Sequence, residues 1–247
     1  MFKSSLNILL IFIFVASWSF SQEEDKDEVK VLYRKVIYGG VNVATNGWGI
    51  TLNYGWQKNY KYRQVVGFTA ANIKHEKEVK SFSPYYEDAK GFFYGKLNSL
   101  ISFRPHYGGQ AIMFNRLREK GVEISFMWSV GASLTLIKPV YLEVRKFEGS
   151  QQILVKERYD PSIHNRDNIY GRAGWFNGFG ESNFNPGIFA KAGFFFDFAS
   201  NHSKVFGVEF GCSVDTYFSK IEVMHGSPSK FLFPSLYANI LFGGKLF

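Results

Sequence analysis

The chain has 247 residues, 24 glycines, a single cysteine and a formal net charge of +8. That length allows one large domain, a lone cysteine excludes an intramolecular disulfide, and the basic balance points to an anionic surface as partner. Aromatic residues make up 19% of the chain, more than a soluble domain needs and in keeping with the aromatic girdles of membrane barrels.

Residues 1–21 read as an export signal. Lys3 is the only charge there, Ile8 to Ala16 is uninterrupted apolar sequence, and Ser19 and Ser21 supply the small residues for cleavage before Gln22. The run is too short for a membrane helix and suits a signal core. No cysteine follows it, so a lipid anchor is not expected. An exported chain rarely meets nucleic acid, so its basic surface is assigned to outer-membrane lipid and lipopolysaccharide. Residues 22–32 form a charged leader, and 33–247 are read as one domain.

That domain alternates apolar with polar or small side chains at period two, the mark of strands with unlike faces. The first strand spans about 33–44. Thr45-Asn46-Gly47 makes a tight turn, and the second strand sets Trp48, Ile50, Leu52, Tyr54 and Trp56 against Gly49, Thr51, Asn53 and Gly55. A third runs over about 60–73 with Val66, Phe68 and Ala70 outward. The fourth places Phe93, Leu97, Ile101 and Phe103 opposite Tyr94, Lys96, Asn98, Ser102 and Arg104. The link 104–121, carrying Arg116, Arg118, Glu119 and Lys120, is either a polar turn or a strand extension. The fifth strand, 122–142, sets Ile124, Phe126, Trp128, Val130, Leu134 and Leu136 against Glu123, Ser125, Ser129, Gly131, Ser133 and Thr135. The sixth has Ile188, Ala190, Ala192, Phe194, Phe196 and Phe198 opposite Lys191, Gly193 and Asp197. After Asn201-His202 the seventh sets Phe206, Val208, Phe210, Cys212, Val214 and Phe218 against Gly207, Glu209, Gly211, Ser213 and Asp215. The eighth, 230–247, carries Leu232, Leu236, Ala238, Ile240 and Phe242 on one face.

The large residues and the acids have the wrong arrangement for a soluble sandwich. The apolar face is uniform and suits lipid, which predicts an all-β, antiparallel, up-and-down transmembrane β-barrel of about eight strands, ten being possible if the longer links split. Closure follows, because an open edge in hydrocarbon leaves unpaired backbone groups at several kcal/mol each. Long polar segments after the third, fifth and seventh strands fall on one side, read as extracellular. An eight-stranded barrel leaves room only for side chains, so Lys96, Arg104, Glu123, Lys191, Asp197, Glu209 and Asp215 are read as an ion-paired lumen, with a conducting path as the alternative. Phe247 is read as the aromatic C-terminal signal for the barrel-assembly machinery, brought into register by a bulge at Gly243-Gly244.

Several blocks resemble a family of uncharacterised outer-membrane β-barrel proteins of Bacteroidota: Thr45-Asn46-Gly47-Trp48-Gly49, Asn72-Ile73-Lys74-His75, Tyr94-Gly95-Lys96-Leu97-Asn98, Leu136 to Glu143, and Tyr159-Asp160-Pro161 through Asn168-Ile169-Tyr170-Gly171-Arg172. The resemblance implies location and fold and brings no catalytic residues.

The segment 147–183, within a long extracellular loop at about 145–183, is the expected functional surface, since loops of that length are usually functional or disordered. Asp160, His164 and Asp167 could approach a metal on a helical turn or be solvated turn residues; no metal or other cofactor is assigned. Tyr170, Trp175, Phe176 and Phe179 could form a partner-facing amphipathic helix or a lid over the barrel mouth. His225 and Ser227, with Glu222 nearby, could serve a lipid A deacylase or acyltransferase, but Gly226 and Pro228 explain the segment as a turn. The expected role is a non-enzymatic structural or accessory subunit with a protein partner in the outer membrane. A lipid-modifying enzyme and a narrow pore are the alternatives.

Overall fold

The structure, a computed structural model, describes residues 35–86, 89–115, 121–148, 151–199 and 203–246. The readings placed on residues 1–34, on Arg116, Arg118, Glu119 and Lys120, on the Asn201-His202 turn and on Phe247 lie outside the described residues. The strands are, in chain order, β1 (Lys35–Ala44), β2 (Gly47–Asn59), β3 (Tyr62–Ile73), β4 (Lys80–Ser81), β5 (Phe92–Phe93), β6 (Asn98–Phe114) and β7 (Glu123–Pro139). Then come β8 (Tyr141–Glu148), β9 (Gln151–Arg158), β10 (Ile169–Arg172), β11 (Asn183–Asp197), β12 (Lys204–Ile221) and β13 (Lys230–Leu246).

Eight of them close into a barrel in the order β1-β13-β12-β11-β7-β6-β3-β2, each sequence neighbour pairing antiparallel with the next and β13 sealing against β1. The alternation in β12 shows why. Val205, Glu209, Ser213 and Asp215 are buried inside, while Phe206 and Phe210 stand outside and exposed. The same split runs round the barrel, leaving Ile37, Val41, Ile50, Leu52, Phe68, Val130, Ile188, Phe194, Leu236 and Ile240 exposed on its exterior. An apolar belt this continuous is untenable in water and matches hydrocarbon. The molecule is a transmembrane β-barrel.

The β1–β2 turn is Thr45-Asn46, and its positive φ falls on Gly47 alone, at 149°. A Cβ there would lie 1.8 Å from the Asn72 carbonyl oxygen, so glycine is required twice over.

Four expectations are corrected. The fourth barrel strand starts at Asn98, so Phe93 to Leu97 precede it, and the residues from Arg104 onward extend it to Phe114. The fifth stops at Pro139, and Tyr141–Glu148 leave the barrel to join a separate sheet of order β10-β8-β9. The segment 147–183 is therefore not one loop: it holds a hairpin half, a strand and a single 3-10 turn at Phe179–Glu181. The pairing of β13 with β1 and β12 runs through Gly243 and Gly244 without a shift, so there is no bulge at these glycines.

The interior is filled in three layers. At the end where β1 begins and β13 ends, Val36, Tyr38, Val65, Met127, Phe195, Val205 and Leu241 form an apolar cluster, with Tyr38 and Phe195 stacked at 6.3 Å. A polar layer follows. At the opposite end Ile73, Leu100, Tyr217, Ile221, Val223, Met224 and Phe233 close the barrel.

Candidate functional site

The polar layer holds two buried ion pairs. Arg104 Nη2 lies 2.8 Å from Asp215 Oδ2, and Ser133 Oγ donates to Asp215 Oδ1 at 2.9 Å. Lys191 Nζ lies 3.1 Å from Glu209 Oε1. Glu209 also accepts from Tyr237 Oη at 2.6 Å and Asn239 Nδ2 at 2.7 Å, and Asn42 donates in turn to Asn239. A buried carboxylate survives only when its lone pairs are occupied in this way. His106 Nε2 contacts Asn53 Oδ1 at 3.1 Å. That contact depends on Gly67, whose Cβ would lie 2.2 Å from Asn53 Oδ1.

Of the other residues read into the lumen, Asp197 is buried near the terminal end, 3.6 Å from Lys245 Nζ, and Glu123 is half-buried opposite it in the register. Lys96 is elsewhere. It precedes β6 and pairs at 2.6 Å with Glu78 of the same connection. Its period-two position in a strand that does not extend that far gave the false placement. The buried interior aromatics Tyr38, Phe189, Phe195 and Tyr217 carry no mark in the sequence, because an inward aromatic looks the same there as an outward one.

Beyond the mouth, the connections after β3, β7 and β12 fold into a tier. Phe92, Leu142, Val144, Tyr159 and Ile169 form its core, with Tyr94, Leu97 and Val140 against it. Backbone bonds tie the three connections together: Leu97 N donates to Val223 O at 2.9 Å, His225 N to Gly95 O at 2.8 Å and Arg172 N to Lys90 O at 3.2 Å. Three segments too short to fold singly share one core, a long-range arrangement with no local signature.

Asp160, His164 and Asp167 each take partners of their own in the tier. His164 is 2% exposed; its Nδ1 accepts from Asp160 N at 2.9 Å and its Nε2 is 3.4 Å from Glu157 Oε2. The Asp160 carboxylate instead accepts from Ser162 N and Oγ, which hold it below the usual carboxylate range. Asp167 lies 3.5 Å from Tyr85 Oη. Among the described residues, no three His, Cys, Asp or Glu side chains are placed to hold one metal ion. The Lys146 ammonium at 2.5 Å, and after it His164, hold Glu157 below its usual range.

Tyr170 packs on Tyr86 with ring centroids 5.1 Å apart. Trp175, Phe176 and Phe179 form a mutual cluster with centroids 4.9 to 6.3 Å apart, and Phe176 is 81% exposed. No amphipathic helix carries them. His225 and Ser227 sit on a turn at Gly226, φ 72°. The Ser227 hydroxyl oxygen is buried without a hydrogen-bond partner, so the structure does not join it to His225 as nucleophile and base.

No protein-family model matches the chain, and no curated protein matches it in sequence. Among solved structures the chain is similar to Ail, the attachment invasion locus protein of Yersinia pestis, in complex with the heparin analogue sucrose octasulfate, at 11% identity and a TM-score of 0.40 over 85% of this chain and 96% of that one. It is also similar to Neisserial surface protein A, at 9% identity and a TM-score of 0.43 over 87% of this chain and 98% of that one.

Proposed function

We propose that the protein is a non-enzymatic barrel of the bacterial outer membrane that serves as an accessory subunit, its tier facing the cell exterior and holding a protein partner. One observation carries the reading: a tier with its own core presents the clustered aromatics Trp175, Phe176 and Phe179 on a barrel whose interior is filled. Exposed aromatic clusters on a rigid support mark contact surfaces. The export-signal reading supports the location, and both ends of the barrel chain lie away from the tier, as in barrels with short periplasmic turns. The filled interior speaks against a pore. The separation of Ser227 from a base speaks against lipid hydrolysis. A docking role is favoured over a lid, because the mouth is already closed by Tyr217, Ile221 and Phe233.

Gentle detergent extraction of the tagged protein from native outer membranes, with mass spectrometry of what accompanies it, tests this. A stoichiometric protein partner is expected. It should be lost when Trp175, Phe176 and Phe179 are all changed to serine while the barrel keeps its heat-modifiable gel mobility. A partner-free monomer overturns the proposal, as does a partner indifferent to the triple change. The lipid A profile is expected to be unaltered by His225→Ala.

A further inference from the structure

On the outside of the barrel, where β2, β3, β6 and β7 meet the tier, lies a cleft of about 800 Å³, within the range of small-molecule sites. Its lower wall is the apolar belt: Ile50, Ala70, Ile101, Phe103 and Leu136. Its upper wall is different. The outward register of β3 passes from Phe68 and Ala70 to Asn72, with Lys74 just past the strand's end, and that of β7 from Leu134 and Leu136 to Lys138. Lys138 thus sits where alternation calls for a lipid-facing apolar residue, at the height where the belt ends.

Lys138 is a built feature. It is 6% exposed, covered by the turn that carries Trp175 and Phe179. Its Nζ donates to the Trp175 and Asn177 carbonyl oxygens at 2.9 and 3.0 Å and lies 5.3 Å from the Phe179 ring centroid. An ammonium has three N–H donors, and the two carbonyl oxygens occupy two of them. Arg172 lines the same wall. Among the described residues Lys74, Lys138 and Arg172 form no ion pair, whereas Lys96, beside them, is neutralised by Glu78. Three cations without a carboxylate partner above a greasy groove are complementary to one kind of molecule: an amphiphile with acyl chains below and phosphate above.

We infer that this cleft binds a phosphorylated glycolipid of the outer leaflet. Three cations exceed what one glycerophospholipid phosphate requires, and Trp175, 58% exposed beside Lys138, offers a flat face for a sugar ring. The inference rests on the outward-facing tier proposed above, but its test does not depend on the same measurement.

Full-length protein in detergent micelles is titrated with synthetic diphosphorylated lipid A, its phosphate-free form, and phosphatidylglycerol, and scored by native mass spectrometry. A saturable one-to-one adduct is expected with the first only. A cation near such a surface contributes about 1 kcal/mol, or roughly fivefold, so Lys74→Gln, Lys138→Gln and Arg172→Gln together should weaken it about a hundredfold. Lys138→Arg should retain it. Equal binding of the phosphate-free form, or of phosphatidylglycerol, overturns the inference without need of any variant. So does undiminished binding in a triple variant of normal gel mobility. Orientation is read separately: a membrane-impermeant maleimide on intact cells should label Ile163→Cys, an exposed tier position outside the aromatic cluster, in a Cys212→Ser background, and failure there overturns the outward tier, and with it the inference.

Discussion

Arg104 and Asp215 face each other across the interior 2.8 Å apart, and the Arg104 guanidinium also lies 5.1 Å from the Phe189 ring centroid. Removing one partner strands the other charge in the barrel, a loss of about 3–5 kcal/mol. Arg104→Leu should therefore lower stability by that much in urea unfolding from lipid vesicles. Arg104→Leu with Asp215→Leu should recover most of it, since an apolar pair leaves nothing unsatisfied; equal losses would mean the pair contributes no more than its packing. His75, just beyond β3, gives a pH-dependent counterpart. Burial, and after it the Lys230 ammonium, hold His75 below its ordinary 6.5, and its Nε2 is buried without a hydrogen-bond partner. The folded chain thus resists a proton that the unfolded chain accepts, so the turn is stable above that pH and loosens as pH falls below it. Ring titration by NMR should give a midpoint under 6.5, and His75→Gln should abolish the acid-side rise in hydrogen exchange across 74–78. A midpoint at or above the ordinary value sinks the argument.

At the scale of elements, barrel and tier are held by different cores, so they should fail separately. Leu142 and Ile169 are fully buried in the tier, and Leu142→Ala should cost about 2–5 kcal/mol there. The expected result is a barrel of unchanged gel mobility whose segment 141–182 becomes sensitive to protease. Loss of the barrel as well would show the tier to be part of its foundation. This division also explains what the sequence disclosed. A barrel strand has lipid on one side along its whole length, so Phe206 to Phe218 reports its own structure through period two. Residues 141–172 have water, core and neighbour strands in turn, and β9 alternates around half-burial. Their partners Phe92 and Tyr94 lie some fifty residues earlier, where no local pattern points to them. Lys138 continues the even register of its strand as a cation, a position to which the sequence alone assigns no role. Its significance needed the turn at Trp175 to be placed over it.

At the scale of the molecule, the interior is closed three times over. Water or an ion entering from the tier meets Tyr217, Ile221 and Phe233, then the two ion pairs, then Tyr38 stacked on Phe195. These are all strand residues; of the connections, only Val223 and Met224 after β12 add to the first barrier. Removing the tier should therefore leave the barrel sealed, which separates this architecture from one gated by a lid. The expectation is no stepwise conductance in planar bilayers for the full chain or for a chain with 142–172 replaced by a short glycine-serine link. Opening should require breaching layers together. Phe195→Ala alone removes one apolar barrier but leaves Lys191 bound to Glu209, whereas Phe195→Ala with Tyr217→Ala and Lys191→Ala removes a member of every layer. Steps seen only in the triple variant would fit a structural plug. Steps in the full chain would identify the polar layer as a path and make its carboxylates the groups to mutate next.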